Sequence, residues 1–343
     1  MGTATGASVT ARGDVATRGA PAAALGLDIG GTKLAAGVVD VGGRLHSFAS
    51  EPTSVDRGAP DVLARLFALG RRVVADSGME WDGIGAVGIG CGGPLDAVHG
   101  VVLSPPHLPG FIDVPVAALA AEAFSRPAAL ENDATAAAAA EHRYGAGVGT
   151  RNMVYLTIST GVGGGIVIDG NLYRGTTGNG GELGHVTIDC AGRPCRGCGR
   201  RGCLEAYVSG TSIAERAREE LAQGPRASVL AALGEPTAAD VAAAALAGDE
   251  LAAEIWDDTT TALACGLTSI VNLFEPELVV LGGGVTRSGE QLLAPLRESV
   301  RATAMGPAGR AARIVPAALG DHVGVVGAAA ISFERVVDGR PAA

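Results

Sequence analysis

The sequence predicts an α/β protein of two lobes, and three observations lead there. At 343 residues the chain exceeds the length at which one hydrophobic core stops growing, so two cores with a cleft between them are expected. Residues 25–50 read as strand, glycine turn, strand, turn, strand, and residues 154–173 repeat that plan about 129 positions later. The segments between and after these hairpins switch repeatedly between helical and strand periodicity, which is the pattern of a mixed α/β chain.

Taken in order, the first meander is LGLDI, GGT, KLAAGVVD, VGG and RLHSFAS. There follow a helix over 61–77, a strand over 84–90, a helix near 115–124, a short strand over 127–130 and an alanine-rich helix over 133–144. The second meander is YLTIS, TGVGGG, IVID, GN and LY. A cysteine-rich loop precedes helices near 209–222, 237–246 and 249–273, a strand over 278–281 ending in GGG, and helices over 289–303 and 322–335. The implied organisation is a disordered tail over 1–24, a small α/β lobe over 25–132, and a large lobe over 133–321 with a zinc loop at 185–203. A C-terminal helix and tail over 322–343 would pack back on the small lobe.

Composition narrows the function classes. Hydrophobic residues make up 47% and charged residues 18%, enough apolar surface for a folded globule. A net charge of -10 opposes strong sequence-independent binding to nucleic acid or an anionic membrane, so the expected partners are small molecules. The first 24 residues have no signal-peptide core, and no later segment reaches transmembrane length without charge. Four of the six cysteines fall between 190 and 203, a distribution that suits metal binding in the reducing cytoplasm better than a disulfide framework.

That cysteine-rich stretch, ELGHVTIDCAGRPCRGCGRRGCLE at 182–205, is the most specific local signal. His185, Cys195, Cys198 and Cys203 supply the ligand set of a closed tetrahedral zinc site, with no position left for a reactive water, so the metal is read as structural. Glu182 and Glu205 stand at its edges, and the chemistry is expected beside it. Cys190 is a fifth candidate ligand, for which an ordinary small residue is the preferred reading.

Three glycine clusters offer ligand sites. DIGGTK at 28–33 joins Asp28 to Gly30, Gly31, Thr32 and Lys33, the chain's only lysine, in a turn whose N–H groups can nest an anion; a plain hairpin turn is the competing reading. STGVGGG at 159–165, with Thr160 and Gly161, is a second such tip, and two tips facing across a cleft could hold the phosphates of one nucleotide. GIGCGG at 88–93 matches the dinucleotide fingerprint, with Asp113 about twenty residues on, but Pro94 and the strand-like HGVVLS follow where that fingerprint needs a helix. We read it as a glycine-walled face for a sugar, ending at Gly93. Gly282, Gly283 and Gly284 follow a strand and expose backbone on which a base could lie flat. END at 131–133 opens the alanine-rich helix. Asn132 and Asp133 are there either as caps or as a hydroxyl-binding amide and a proton acceptor, and the two roles are compatible.

With DIGGTK, LPGFIDVPV, ENDATAAAAAE, TGVGGGI, GELGH and CGRRGCLE in this order, residues 25–335 resemble the ROK family of sugar kinases and related repressors. The resemblance implies an actin-like, ribonuclease-H-like two-lobed fold, ATP with Mg2+ as phosphoryl donor, a hexose acceptor, and a homodimer or homotetramer. It implies Asp133 as catalytic base for the 6-hydroxyl, and Asn132, Glu182, His185 and Glu205 as ligands of the other hydroxyls. Asp28, Gly30, Gly31, Thr32, Lys33, Thr160 and Gly161 would surround phosphate and magnesium, with Gly282–Gly284 along the adenine.

Departures bear on the sugar. The cysteine pattern is one residue longer than the family's CxCGxxGC, so a bulged loop is expected. HLPGF replaces NLPGW, placing His107 and Phe111 near the pocket, and ENDAT replaces ENDAN at Thr135. Glucose or a close analogue is the expected acceptor, with an amino sugar, an acylated hexosamine or a cyclitol as alternatives. A sugar-sensing regulator is the rival outside enzymology, and 24 leading residues are too few for a helix-turn-helix domain.

Overall fold

The computed structural model describes residues 23–224 and 226–337. Strands β1 (Ala23–Ile29), β2 (Lys33–Asp40) and β3 (Leu45–Pro52) form the first meander, followed by helix α1 (Gly58–Asp76), β4 (Ile84–Cys91), the short pair β5 (Leu95–Asp96) and β6 (Val101–Val102), α2 (Val116–Phe124), β7 (Ala128–Asn132) and α3 (Asp133–Tyr144). The second meander is β8 (Met153–Ile158), β9 (Val162–Ile168) and β10 (Asn171–Tyr173). Helices α4 (Glu205–Val208), α5 (Gly210–Ala222), α6 (Ala238–Leu246) and α7 (Glu250–Phe274) lead to β11 (Leu278–Gly282), α8 (Glu290–Thr303), α9 (Gly306–Ala311), β12 (Arg313–Pro316) and α10 (Val323–Ser332). A π-helical turn over Phe333–Val337 continues the last helix.

The two sheets share one plan. The first runs β3-β2-β1-β4-β7 and the second β10-β9-β8-β11-β12. In each, a three-stranded antiparallel meander gains two parallel strands at the edge of its first strand. The copies agree in register: Asp28 lies opposite Gly90 and Ala35, while Thr157, 129 positions on, lies opposite Gly282 and Gly163. This duplicated pair is the two-lobed, actin-like arrangement the resemblance implies. Strand β12 was not expected, because RIVP is four residues long and ends in proline.

Strand β1 begins at Ala23, so the tail expected over 1–24 loses its last two residues to the sheet, and residues 1–22 lie outside the described residues. Residues 338–343 of the expected C-terminal tail also lie outside them.

Two small-residue helices fill the space between the sheets. Helix α10 packs on β1, β2 and β4 of the first sheet, and α3 packs on β8 and β9 of the second while the two helices pack on each other. The approach is backbone to backbone. A Cβ on Gly26 would come within 2.0 Å of the Val325 carbonyl oxygen, and one on Gly88 within 1.7 Å of that of Ala328. Alanine and glycine in α3 and α10 are therefore a packing requirement as well as a helix preference. Each sheet also has its own larger core: α1 and α2 cover the first with Leu63, Leu66, Val73 and Phe124, and α7 and α8 cover the second with Ile255, Leu263, Leu267 and Leu296. No helix among the described residues is long and apolar enough to cross a membrane.

Candidate active site

The base of the first glycine tip and the edge of the cysteine loop meet the start of α3 around Asp133, whose charge acts on both Asp28 and Glu182. The strand that follows the second tip passes beside Ala134, where a Cβ on Gly163 would lie 2.8 Å away. Asn132 caps α3: its Oδ1 accepts the N–H groups of Ala134 and Thr135 at 3.0 and 3.1 Å, and Asp133 Oδ1 accepts the Ala134 N–H at 2.8 Å. Capping and ligand binding are compatible here. The Asn132 amide nitrogen remains on the side of Gly93, 3.7 Å from where a Cβ on that glycine would stand. The Asp133 carboxylate opens to the cleft, yet enough protein surrounds it that burial raises its pKa, against the Ala134 N–H and His107, which lower it. A base that retains its affinity for a proton suits removal of one from an alcohol.

Asp28 lies at the end of β1, and its carboxylate sits 2.4 Å from where a Cβ on Gly324 of α10 would project. Burial, and next the charge of Asp133, push its pKa up to about 7, with Lys33 opposing. The tip between β1 and β2 is closed by its own backbone: Gly30 N–H donates to the Lys33 carbonyl at 3.0 Å, and the Thr53 hydroxyl donates to the Gly30 carbonyl at 2.6 Å. Thr32 and Lys33 stay exposed at its apex. The His107 backbone and imidazole lie against Gly31, where a Cβ would be 3.1 Å from its carbonyl oxygen. The same ring lies against Gly92, where a Cβ would be 2.5 Å from Nε2. His107 therefore stands at the cleft wall between the DIGGTK and GIGCGG turns, and burial lowers its pKa against the pull of Asp133.

The second tip carries no ionisable group of its own. Ser159 N–H donates to the Gly161 carbonyl at 2.9 Å, and Gly210 N–H donates to the Ser159 carbonyl at 2.7 Å. Thr160 is exposed at its apex. Gly282 and Gly283 are packing glycines as well as candidate base-contact residues: a Cβ would lie 2.5 Å from the Tyr155 hydroxyl at the first and 2.3 Å from the Ile158 carbonyl oxygen at the second, which has φ +90°. Gly284 faces open space.

In the cysteine loop the ligand atoms of His185, Cys195, Cys198 and Cys203 all lie within 4.8 Å of one another. Cys195 Sγ is 3.6 Å from His185 Nδ1, and Cys198 Sγ is 3.5 Å from Cys203 Sγ. A tetrahedral ion with bonds of about 2.3 Å to sulfur and 2.0 Å to nitrogen sets its ligands about 3.5–3.8 Å apart, which these two pairs match, and the donor chemistry of the set suits zinc. Cys190 is outside it. His185 Nε2 points the other way, 3.9 Å from Glu182 Oε2, and burial raises the Glu182 pKa while His185 lowers it and Asp133 and Glu205 add to the rise. The extra residue in the cysteine pattern does not simply bulge outward. Arg196 turns away to pair with Glu215, while Gly197 faces in, where a Cβ would be 2.6 Å from Glu205 Oε1 and 3.1 Å from His185 Cε1.

Several supporting residues, two of them at the ends of ENDATAAAAAE, were given no role by the sequence. Glu131 is fully buried; its Oε1 accepts the Asn132 N–H at 3.1 Å, and its Oε2 accepts Arg174 Nε at 2.7 Å and an Arg335 N–H at 2.8 Å. This network joins the strand that ends in Asn132 to the residue just after β10 and to the C-terminal turn. Glu141, also fully buried, accepts N–H groups from Ala146, Ala318 and Leu319 at 2.9, 3.1 and 2.8 Å. Asn179 bonds both backbone groups of Leu95 and lies beside Gly93. Only the adjacency of Glu131 to the Asn-Asp pair could have marked it. A separate cavity of about 510 Å³, bordered by Arg193, Tyr207, Arg216 and Glu254, is lined by none of the candidate site residues.

The ROK family sequence model matches residues 24–335. A glucokinase of Thermotoga maritima is 37% identical over 318 residues, which cover 91% of this chain and 98% of that protein. Among solved structures, a ROK hexokinase from Thermus thermophilus aligns with TM-score 0.77 at 38% identity, over 92% of this chain and 100% of that one. A ROK family glucokinase from Streptomyces griseus in complex with glucose and AMPPNP aligns with TM-score 0.77 at 34% identity, over 91% and 99%.

Proposed function

The chain belongs to the ROK family, and from that premise we propose that it is a sugar kinase moving the γ-phosphoryl group of ATP to the 6-hydroxyl of glucose. Glucokinases aligned over nearly their whole length support the activity. The observation that carries the mechanism is the position of Asp133: it opens α3 between the two glycine tips, faces the cleft, and has a raised proton affinity.

In this reading the sugar lies against Gly93 and is held by Asn132, Glu182, His185 and Glu205, whose amide, imidazole and carboxylates match hydroxyl donors and acceptors. Asp133 accepts the 6-hydroxyl proton as the oxygen attacks phosphorus. The Gly30–Lys33 and Thr160–Gly161 tips hold the phosphate chain from the two lobes, and Gly282–Gly284 border the adenine. Catalysis then consists of alignment plus charge stabilisation, which is what phosphoryl transfer asks of a protein.

Two metals belong to the reading. Asp28 and Asp133 place two carboxylates close together at the cleft with Lys33 as the opposing cation, and their repulsion contributes to the raised pKa of Asp28. Mg2+ held through Asp28 fits that imbalance and would neutralise phosphate charge. Zn2+ on His185, Cys195, Cys198 and Cys203 would fix the loop that presents Glu182, His185 and Glu205. A homodimer or homotetramer in the cytoplasm completes the proposal.

His107, where many family glucokinases have asparagine, keeps an amino sugar or cyclitol as the second reading. The test is ADP release over glucose, mannose, glucosamine, N-acetylated hexosamines and cyclitols. Glucose is expected to give the highest kcat/KM, and a flat response across the panel would defeat the assignment.

A further inference from the structure

Glu205 has a partner that a sugar ligand does not require. Its Oε2 accepts the Val162 N–H at 2.9 Å, from a residue 43 positions earlier in the chain. A Cβ on Gly161 would stand 2.8 Å from the same oxygen. Its Oε1 lies 3.4 Å from Cys195 Sγ, against the inward face of Gly197. Glu205 is the first residue of α4, two residues after Cys203. One side chain therefore touches the cysteine loop and the second glycine tip together.

The contact acts on a single peptide unit. The Gly161–Val162 peptide gives its carbonyl to the Ser159 N–H at 2.9 Å and its N–H to Glu205, so it is clamped from both sides. A carboxylate repels nucleotide phosphate, so this one serves the tip through geometry. Hydrogen bonds to an ionised acceptor are among the stronger ones, and the position of this acceptor depends on the backbone that follows Cys203. The bond from Gly210 to Ser159 holds the other side of the tip without help from the cysteine loop. The coupling should therefore be graded and not all-or-none.

We propose that Glu205 is a positioning residue that couples metal occupancy of the His185, Cys195, Cys198 and Cys203 set to the shape of the Ser159–Val162 tip, so that bound metal strengthens nucleotide binding. This rests on the reading of that tip as a phosphate site. Coupling is reciprocal: nucleotide must tighten metal by the factor by which metal tightens nucleotide.

The experiment is calorimetric titration with a non-hydrolysable ATP analogue and Mg2+, without sugar, so that a sugar contact of Glu205 cannot contribute. Zinc-loaded and chelator-stripped forms of wild type, Glu205→Ala and Glu205→Gln are compared, with circular dichroism to verify folding. Stripping should weaken the analogue about five- to tenfold in wild type and in Glu205→Gln, which keeps a carbonyl acceptor for Val162, and less than twofold in Glu205→Ala. Competition with a chromophoric zinc chelator should show the analogue tightening zinc by the same factor. Equal affinity in loaded and stripped wild type, or an equal loss in Glu205→Ala, would overturn the coupling. Should the stripped protein not remain folded, the loaded forms decide: Glu205→Ala must bind the analogue more weakly and Glu205→Gln must restore it, and three equal affinities would overturn the proposal. No analogue binding to any form would instead remove the nucleotide assignment on which it rests.

Discussion

The two glycine tips sit at equivalent positions of two sheets with the same strand order and the same register, yet they are built from different materials. The first has Asp28 at its base and Lys33 at its exit, and it is closed by its own backbone and by Thr53 of the same lobe. The second has Thr157 where the first has Asp28, carries no charge, and takes its support from Glu205 and Gly210, far along the chain. The two copies share a common frame, and the charged groups that would act on phosphate in the proposed reaction lie on one copy only. The first tip can be expected to govern rate and the second to govern nucleotide affinity.

The largest effect should come from the residue between the tips. Asp133→Asn should lower kcat by at least about 10³-fold while leaving the affinity for an ATP analogue within about twofold. A retained kcat in a coupled ADP-release assay would break the comparison at its centre.

Next is Asp28→Asn, which should cut kcat/KM for ATP by about a hundredfold and also stabilise the ligand-free protein near pH 8. The sign follows from the raised pKa. A carboxyl that holds its proton up to about 7 in the fold, against 3.8 when free, contributes stability that is fully present below pH 3.8 and is lost as pH rises through 7. The ligand-free wild type should lose up to about 4 kcal/mol from this group across that window. Asp28→Asn should lack that slope in thermal melts recorded from pH 4 to pH 8, and MgATP should diminish it in wild type. Parallel pH profiles for wild type and variant would show that Asp28 is not the group responsible.

A smaller contrast compares one methyl on each tip. Gly161→Ala places a Cβ 2.8 Å from Glu205 Oε2 and should raise KM for ATP about tenfold. Gly31→Ala meets His107 at 3.1–3.4 Å, a contact that can yield, and should raise it about threefold. The reverse order in steady-state kinetics would mean that the first tip is the less tolerant of the two.

The smallest effect concerns the sugar side. His107→Asn removes ring atoms pressed against Gly92 and should lower KM for glucose about two- to threefold with KM for ATP unchanged. A rise would show that the imidazole is part of the acceptor site.

What the sequence disclosed and what it hid follow from the range of each interaction. The duplicated meander was legible because a glycine tip between two strands is a local feature, and its repeat spacing survives as the register of the sheets. The candidate metal set was legible because its four residues fall within nineteen positions and their spacing is nearly their geometry. Asn132 and Asp133 were legible as a cap, and the structure adds only that the cap leaves the amide nitrogen free toward Gly93. The destination of Glu205 on Val162, the Glu131 bond to Arg174 and Arg335, and the Ala318 and Leu319 donors to Glu141 join residues tens to hundreds of positions apart. No periodicity or spacing records such pairings. Strand β12 was missed for the opposite reason: its four residues are too few for alternation to show.

The seam between the sheets has a mechanical side. Where α10 meets β1, β4 and α3, carbonyl oxygens lie over glycines, and a Cβ on Gly327 would reach within 2.4 Å of the Ala136 carbonyl oxygen. Such a surface is smooth. At these glycine contacts backbone meets backbone, so a rotation of the lobes there would reset few rotamers, while the buried Arg174–Glu131 pair between the same two halves would resist it. The poly-alanine face of α3 behaves like the race of a bearing, and a single methyl at residue 327 would act as grit in it.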